Sequence, residues 1–153
     1  MDNNDILRSL RYTFDFSDSK MISLFFLGEK EVSRTEISEW LKKEDEPDFK
    51  AIYDRDLAIF LNGMIVDRRG KRDGDAMLPE KKLNNNIVFR KLKIALELRD
   101  EDIQEILALK NFTASKHEIS AFFRKYDQSQ YMPCKDQILR NFLQGLQVKF
   151  RPE

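Results

Sequence analysis

Apolar residues return along this chain at helical spacing, and they do so twice in the same order. Ile6, Leu7, Leu10 and Phe14 share one face of a helix predicted from about Asn4 to Asp15, and Val88, Phe89, Leu92 and Leu96 repeat that face later. Met21, Leu24 and Phe25 mark a second helix, matched by Ile103, Ile106 and Leu107, with Asp18 and Asp100 placed to cap its start. The third helix has the clearest signal. Ser33-x-x-Glu36 and Ser115-x-x-Glu118 read as capping boxes, in which two amide donors at a helix start are satisfied by side chains. The stripes Ile37, Trp40, Leu41 and Ile119, Phe122, Phe123 follow. A fourth helix carries Leu57, Phe60, Leu61 and Met64, against Leu139, Phe142, Leu143 and Leu146, with Asp54 and Asp136 as its expected caps. Residues 65–68 and 147–150 fit either a last helical turn or short extended tails that pair with each other.

A shift of 82 positions lays the chain on itself without a gap, with 19 identities in the 67 pairs formed by residues 3–69 and 85–151. Asn3-Asn4 falls on Asn85-Asn86, Arg8 on Arg90, and Phe60-Leu61-Asn62-Gly63 on Phe142-Leu143-Gln144-Gly145. The expected fold is all-α: helical repeat one over 1–69, a polar linker over 70–84, and helical repeat two over 85–153. A unit of about 67 residues has a marginal core by itself, so the two four-helix repeats are expected to pack on each other with pseudo-twofold symmetry.

Composition narrows the class. Apolar residues are 41% and charged residues 35%, a folded rather than disordered balance, and no apolar run reaches membrane-spanning length. The polar start Met1-Asp2-Asn3-Asn4-Asp5 does not read as a signal peptide, and a single cysteine gives no internal disulfide, so a cytoplasmic setting is expected. Net charge is zero but uneven: residues 1–69 carry 11 Lys and Arg against 15 Asp and Glu, whereas residues 85–153 carry 12 against 9.

Positions shared by the repeats are mostly core or caps. Gly63 and Gly145 sit inside a helical pattern, where glycine costs about 1 kcal/mol against alanine. Close approach of another helix explains them; the functional counterpart is backbone left open to a ligand. The remaining shared set is basic: Arg8/Arg90, Arg11/Lys93, Arg34/Lys116, Lys42/Arg124, Lys43/Lys125 and Arg69/Arg151. The second and third helices, parted by Gly28–Val32, outline a loose helix-turn-helix, a unit that can place basic side chains on phosphates. Candidate anion or nucleic-acid contacts are therefore Arg34, Lys42, Lys43, Arg68, Arg69, Lys116, Arg124 and Lys125. Acidic neighbours in the first copy (Glu29, Glu31, Glu39, Glu44, Asp45, Glu46) oppose phosphate binding there. The run Arg68-Arg69-Gly70-Lys71-Arg72 adds a modest second pointer to an anionic partner.

His117 and Cys134 are each alone, and no phosphate loop, nucleophile elbow or metal motif occurs, so no catalytic residue, metal or cofactor is expected. The carboxylates of Glu44-Asp45-Glu46-Pro47-Asp48 lack the turn glycine and distal glutamate of a calcium loop, and the second copy holds Asp127-Gln128-Ser129-Gln130.

The segments NNDILRSLRY, VSRTEISEWLKKEDEPDF, FLNGMIVDRRG and NNIVFRKLKIALEL resemble the YehS-like family of small duplicated bacterial proteins, a domain of unknown function. The resemblance implies a bacterial cytoplasmic protein with the same duplicated module and brings no activity or catalytic residue with it. Duplication without recognisable chemistry points first to a non-enzymatic interaction or regulatory module with a protein partner, or with a second copy of itself. Nucleic-acid binding by the tandem helix-turn-helix-like units comes next, and a small-molecule site between the repeats third. No membrane association is expected.

Overall fold

The computed structural model describes residues 1–70 and 77–151, and among them forms eight helices and no strand. Repeat one supplies α1 (Asn3–Phe14), α2 (Asp18–Leu27), α3 (Arg34–Leu41) and α4 (Asp54–Arg69). Repeat two supplies α5 (Asn85–Ala95), α6 (Asp100–Ala108), α7 (Lys116–Phe122) and α8 (Asp136–Phe150). The fold is all-α, as the periodicity predicts. Part of the expected linker, including Lys71 and Arg72, lies outside the described residues.

The ends of α4 and α8 resolve an open choice. Both 65–68 and 147–150 are helical, not extended tails. The capping boxes of α3 and α7 form as expected, each serine side chain accepting from the glutamate amide three residues on. Two other expected caps move by one residue. Ser17 caps α2 and Arg99 stands at the cap of α6, so Asp18 and Asp100 are the first helical residues. Tyr53 and Lys135 occupy the cap positions of α4 and α8, without a side-chain cap bond. The carboxylates of Asp54 and Asp136 are recruited elsewhere, as described below.

α4 packs on α5, and α1 packs on α8; the shift of 82 converts one seam into the other. Within each repeat α1 also touches α4, and α5 touches α8, so these four helices close a ring. α2 and α3 cover one side of it, α6 and α7 the other. The pairing is what a pseudo-twofold axis between the repeats requires, and one continuous apolar core runs through both. Phe14 of α1 meets Phe150 of α8 with ring centroids 5.3 Å apart. Arg69 at the end of α4 reaches Glu97 beyond α5 (3.8 Å), and Arg151 beyond α8 reaches Asp15 beyond α1 (3.5 Å). Both acids stand in left-handed backbone, at φ 54° and 53°.

The two cores exchange bulk rather than copy it. In repeat one Phe25 of α2 lies 5.2 Å from both Trp40 and Phe60. In repeat two Phe25 is replaced by Leu107, and the central ring is Phe89 of α5, 4.5 Å from Phe142 and 5.9 Å from Phe122. Leu7 stands where Phe89 does, so volume lost on one helix returns on its neighbour, the exchange that cores tolerate best.

Because half of the ring comes from each repeat, neither is expected to fold alone. Residues 1–69 by themselves should show no cooperative thermal transition by circular dichroism. A melt of the isolated half matching that of the whole chain would refute the interdependence.

Candidate functional site

The shared asparagines are structural. Asn4 of α1 is buried; its amide donates to the carbonyls of Trp40 (2.8 Å) and Lys50 (2.9 Å), and its Oδ1 accepts from the Ile52 amide (3.2 Å). Asn86 of α5 repeats this on Phe122 (3.0 Å), Met132 (2.9 Å) and Cys134 (2.9 Å). Asn3 and Asn85 donate to Asp54 and Asp136, each at 2.7 Å. The second oxygen of Asp54 accepts from the Leu83 amide (2.8 Å), and that of Asp136 from the amino group of Met1 (3.3 Å). The Asn85 hydrogen bond, then the nearby ammonium, hold the Asp136 carboxyl below its ordinary range. These residues pin the irregular segment before α4 and α8 onto the first helix of each repeat.

The eight basic candidates do not form one surface. Arg34 at the start of α3 lies 3.7 Å from Asp18, and Lys116 at the start of α7 lies 2.9 Å from Glu101. That lysine lowers the Glu101 carboxyl from its usual range. Lys42 and Lys43 follow the end of α3 rather than lining it, with Lys42 3.9 Å from Asp48. Arg68 lies over the Phe14 ring (5.3 Å), and Arg69 joins the seam. The separation of α2 from α3 spans residues 28–33, longer than a tight helix-turn-helix bend.

Arg124 and Lys125 have a different setting. They line a cleft of about 410 Å³ between α5, the end of α4, the segment 77–84 and the loop after α7. Ile65, Met77, Ile87, Ile94 and Phe122 form its apolar wall, and Tyr126 and Tyr131 stand at its edge. Arg90 joins from α5, one guanidinium nitrogen donating to the Phe123 carbonyl. The Nε of Arg124 is buried and makes no hydrogen bond among the described residues. Lys91, only 8% exposed, forms the floor; its ammonium lies 2.6 Å from Asn62 Oδ1 of α4 and 3.0 Å from Glu80.

The corresponding place in repeat one is neutralised internally. Arg8, counterpart of Arg90, pairs with Asp5; Lys42, counterpart of Arg124, pairs with Asp48. In repeat two those acids are Ile87 and Gln130, and Glu44 is Tyr126. Arg90, Lys91, Asn62 and Glu80 are absent from the candidates drawn from sequence. The exchanges Asp5 to Ile87 and Asp48 to Gln130 are the signal that points to Arg90; nothing local signals a buried Lys91, whose counterpart is Ser9.

Elsewhere the chemistry is quiet. His117 is exposed. Cys134 is buried, and desolvation, helped by the charge of Asp136, pushes its thiol up to about 12, far from a reactive thiolate. The described residues hold no cluster of His, Cys, Asp or Glu suited to a metal, and no helix among them is long and apolar enough to cross a membrane. Gly63 and Gly145 are both buried. A Cβ built on them would sit 1.8 Å from the Leu24 carbonyl oxygen and 2.3 Å from that of Ile106, so both mark close helix crossings.

A family model described as a protein of unknown function (DUF1456) matches residues 3–70 and again 85–151. The uncharacterized protein YehS of Escherichia coli (strain K12) is 42% identical over 148 residues, covering 96% of this chain and 95% of that one. No solved structure matches the chain.

Proposed function

The chain belongs to the DUF1456 family, and we propose that it is a cytoplasmic, non-enzymatic binding module whose second repeat holds an anionic ligand in the cleft of Arg90, Arg124 and Lys125. One observation carries this. Arg8 and Lys42 of repeat one pair with Asp5 and Asp48, whereas their counterparts Arg90 and Arg124 have Ile87 and Gln130 at those places and form no ion pair among the described residues. Arg90 and Arg124 of repeat two therefore face a half-apolar cleft, whose lining also holds Glu80, paired with Lys91, and Asp127. Cations with no ion pair among the described residues are suited to an external phosphate or carboxylate, and arginine forks favour both. A cleft of about 410 Å³ falls within the range of small-ligand sites, and its apolar wall gives the rest of the ligand a place.

Nucleic-acid reading by α3 and α7 has less support, since Arg34 and Lys116 are neutralised within the chain. The test is a thermal-shift screen with a mononucleotide, a sugar phosphate and a medium-chain carboxylate. Binding at about 100 times Kd stabilises by about 2.7 kcal/mol, or roughly 5–10 °C in melting temperature for a chain of this size. The shift should vanish in the Arg90→Ala, Arg124→Ala double variant, with the ligand recovered unchanged from the wild type. A flat screen, a shift that survives in the double variant, or conversion of the ligand would each overturn the proposal.

A further inference from the structure

The cleft does not end at Arg90. Arg90 and Ile94 also border a second hollow of about 440 Å³ further along α5, lined with Arg69, Lys93, Glu97, Leu98 and Phe123. The two hollows adjoin at Arg90 and Ile94 and are taken together as one groove. Its cations come in three stations: Arg124 with Lys125, then Arg90, then Lys93 with Arg69. Apolar and aromatic side chains line the same hollows, and Tyr126, in the lining with Arg124 and Lys125, is 86% exposed.

We infer that this groove takes a single strand of nucleic acid, successive phosphates lying at the three stations and bases against Tyr126, Tyr131 and the apolar wall. The inference rests on the anion-site reading above and adds the ligand class. A compact anion would use one station; a repeating polyanion with flat apolar units uses all three, the combination of charge and stacking that binds single strands. A duplex keeps its bases inside, so it cannot use the aromatic and apolar positions beside the cations. The pairs to be loosened are weak. Arg69 and Glu97 are 3.8 Å apart and about half exposed, and Lys93 and Asp100 are 3.4 Å apart.

The equivalent hollow of repeat one differs at one cation. It is lined by Arg8, Arg11, Tyr12, Asp15, Phe16, Leu41 and Arg151. Each of its cations is paired: Arg8 with Asp5, Arg11 with Asp18 at 3.2 Å, and Arg151 with Asp15 at 3.5 Å. Arg151 also donates to the Tyr12 carbonyl (2.6 Å) and lies 4.0 Å over its ring. Lys93 and Arg69 keep the equivalent pairs with Asp100 and Glu97, so the repeats differ here at Arg90 alone, where Ile87 replaces the carboxylate of Asp5.

Two probes separate the ligand class from the anion site: labelled oligothymidylate of about 12 nucleotides, read by fluorescence anisotropy, and thymidine monophosphate, read by calorimetry. The oligomer should bind at least about 10-fold tighter, with a log–log salt slope near −2 to −3 for three or four phosphates on a single strand. Arg69→Ala with Lys93→Ala should weaken the oligomer about 10-fold and flatten the slope by about 1, leaving the monophosphate unchanged. Glu97→Gln should tighten the oligomer about 3-fold, a gain that unfolding cannot mimic. Equal affinity for both probes, with the monophosphate still dependent on Arg90 and Arg124, overturns the strand inference and keeps the anion site. Binding of neither probe overturns the strand inference, while a carboxylate hit in the thermal screen would keep the site. Duplex competing as well as single strand also overturns the inference.

Discussion

Alanine in place of Gly63 is expected to lower the melting temperature by about 10 °C or to prevent folding. On an exposed helix the same change would stabilise by about 1 kcal/mol, because glycine is the poorer helix former. Here the added Cβ would lie 1.8 Å from the Leu24 carbonyl oxygen and 2.7 Å from its carbon. Those are backbone atoms of α2, and no rotamer change relieves them. Gly28 makes the reciprocal approach, its own Cβ position lying 2.1 Å from the Ile59 oxygen of α4. The helices must part, and overpacking of this kind costs about 3 kcal/mol or more. For a chain of about 150 residues each kcal/mol moves the midpoint by roughly 2–4 °C. Gly145→Ala should behave alike, while Gln144→Ala on the exposed face beside it should change stability by less than about 0.5 kcal/mol. A Gly63→Ala protein melting within about 2 °C of wild type would disprove the close crossing of α2 and α4.

Replacing Asn4 by alanine is expected to cost about 3 kcal/mol. The side chain makes three hydrogen bonds to the backbone on either side of the acidic loop, and its loss strands two carbonyls and an amide. Each buried group left unpaired costs about 1–3 kcal/mol, tempered where water can enter. Asn4→Asp keeps the shape but aims a carboxylate at the carbonyls of Trp40 and Lys50, so at neutral pH it should be no better than alanine. Urea unfolding with an unchanged slope is the measurement, and a midpoint shifted by the equivalent of less than about 1 kcal/mol would show the asparagine to be dispensable. Asn86→Ala should match, because the same three bonds recur.

Helices were legible wherever their causes are local. The apolar stripes, the serine-glutamate boxes and the 82-residue register are properties of neighbouring residues, and the elements follow them closely. Asp54 marks where this stops. An aspartate ahead of an apolar stripe looks like a cap, but Asn3, 51 residues away, and Leu83, 29 residues away, claim its carboxylate. The seams were legible only as a need to bury surface; that α4 meets α5 and α1 meets α8 depends on which faces fit. Arg124 and Lys125 could be picked out as repeated basic residues, but so could Arg34 and Lys116, and only the fold brings Asp18 and Glu101 to the latter pair. Lys91 was illegible. A lysine on an amphipathic helix reads as solvated, and its burial needs Asn62 from one seam helix and Glu80 from the incoming segment.

The first and the last of the eight described helices are each other's partner across a seam. A ribosome adding about 5–20 residues per second needs roughly 6–25 s to make the roughly 120 residues between α1 and α8. For that interval Phe14 of α1 lacks Phe150, its partner across the seam. A polypeptide released before residue 136 can never close the ring, however long it waits. Copies still lacking α8 are therefore natural clients for chaperones and proteases, and synthesis of that helix is the step that removes them from that pool.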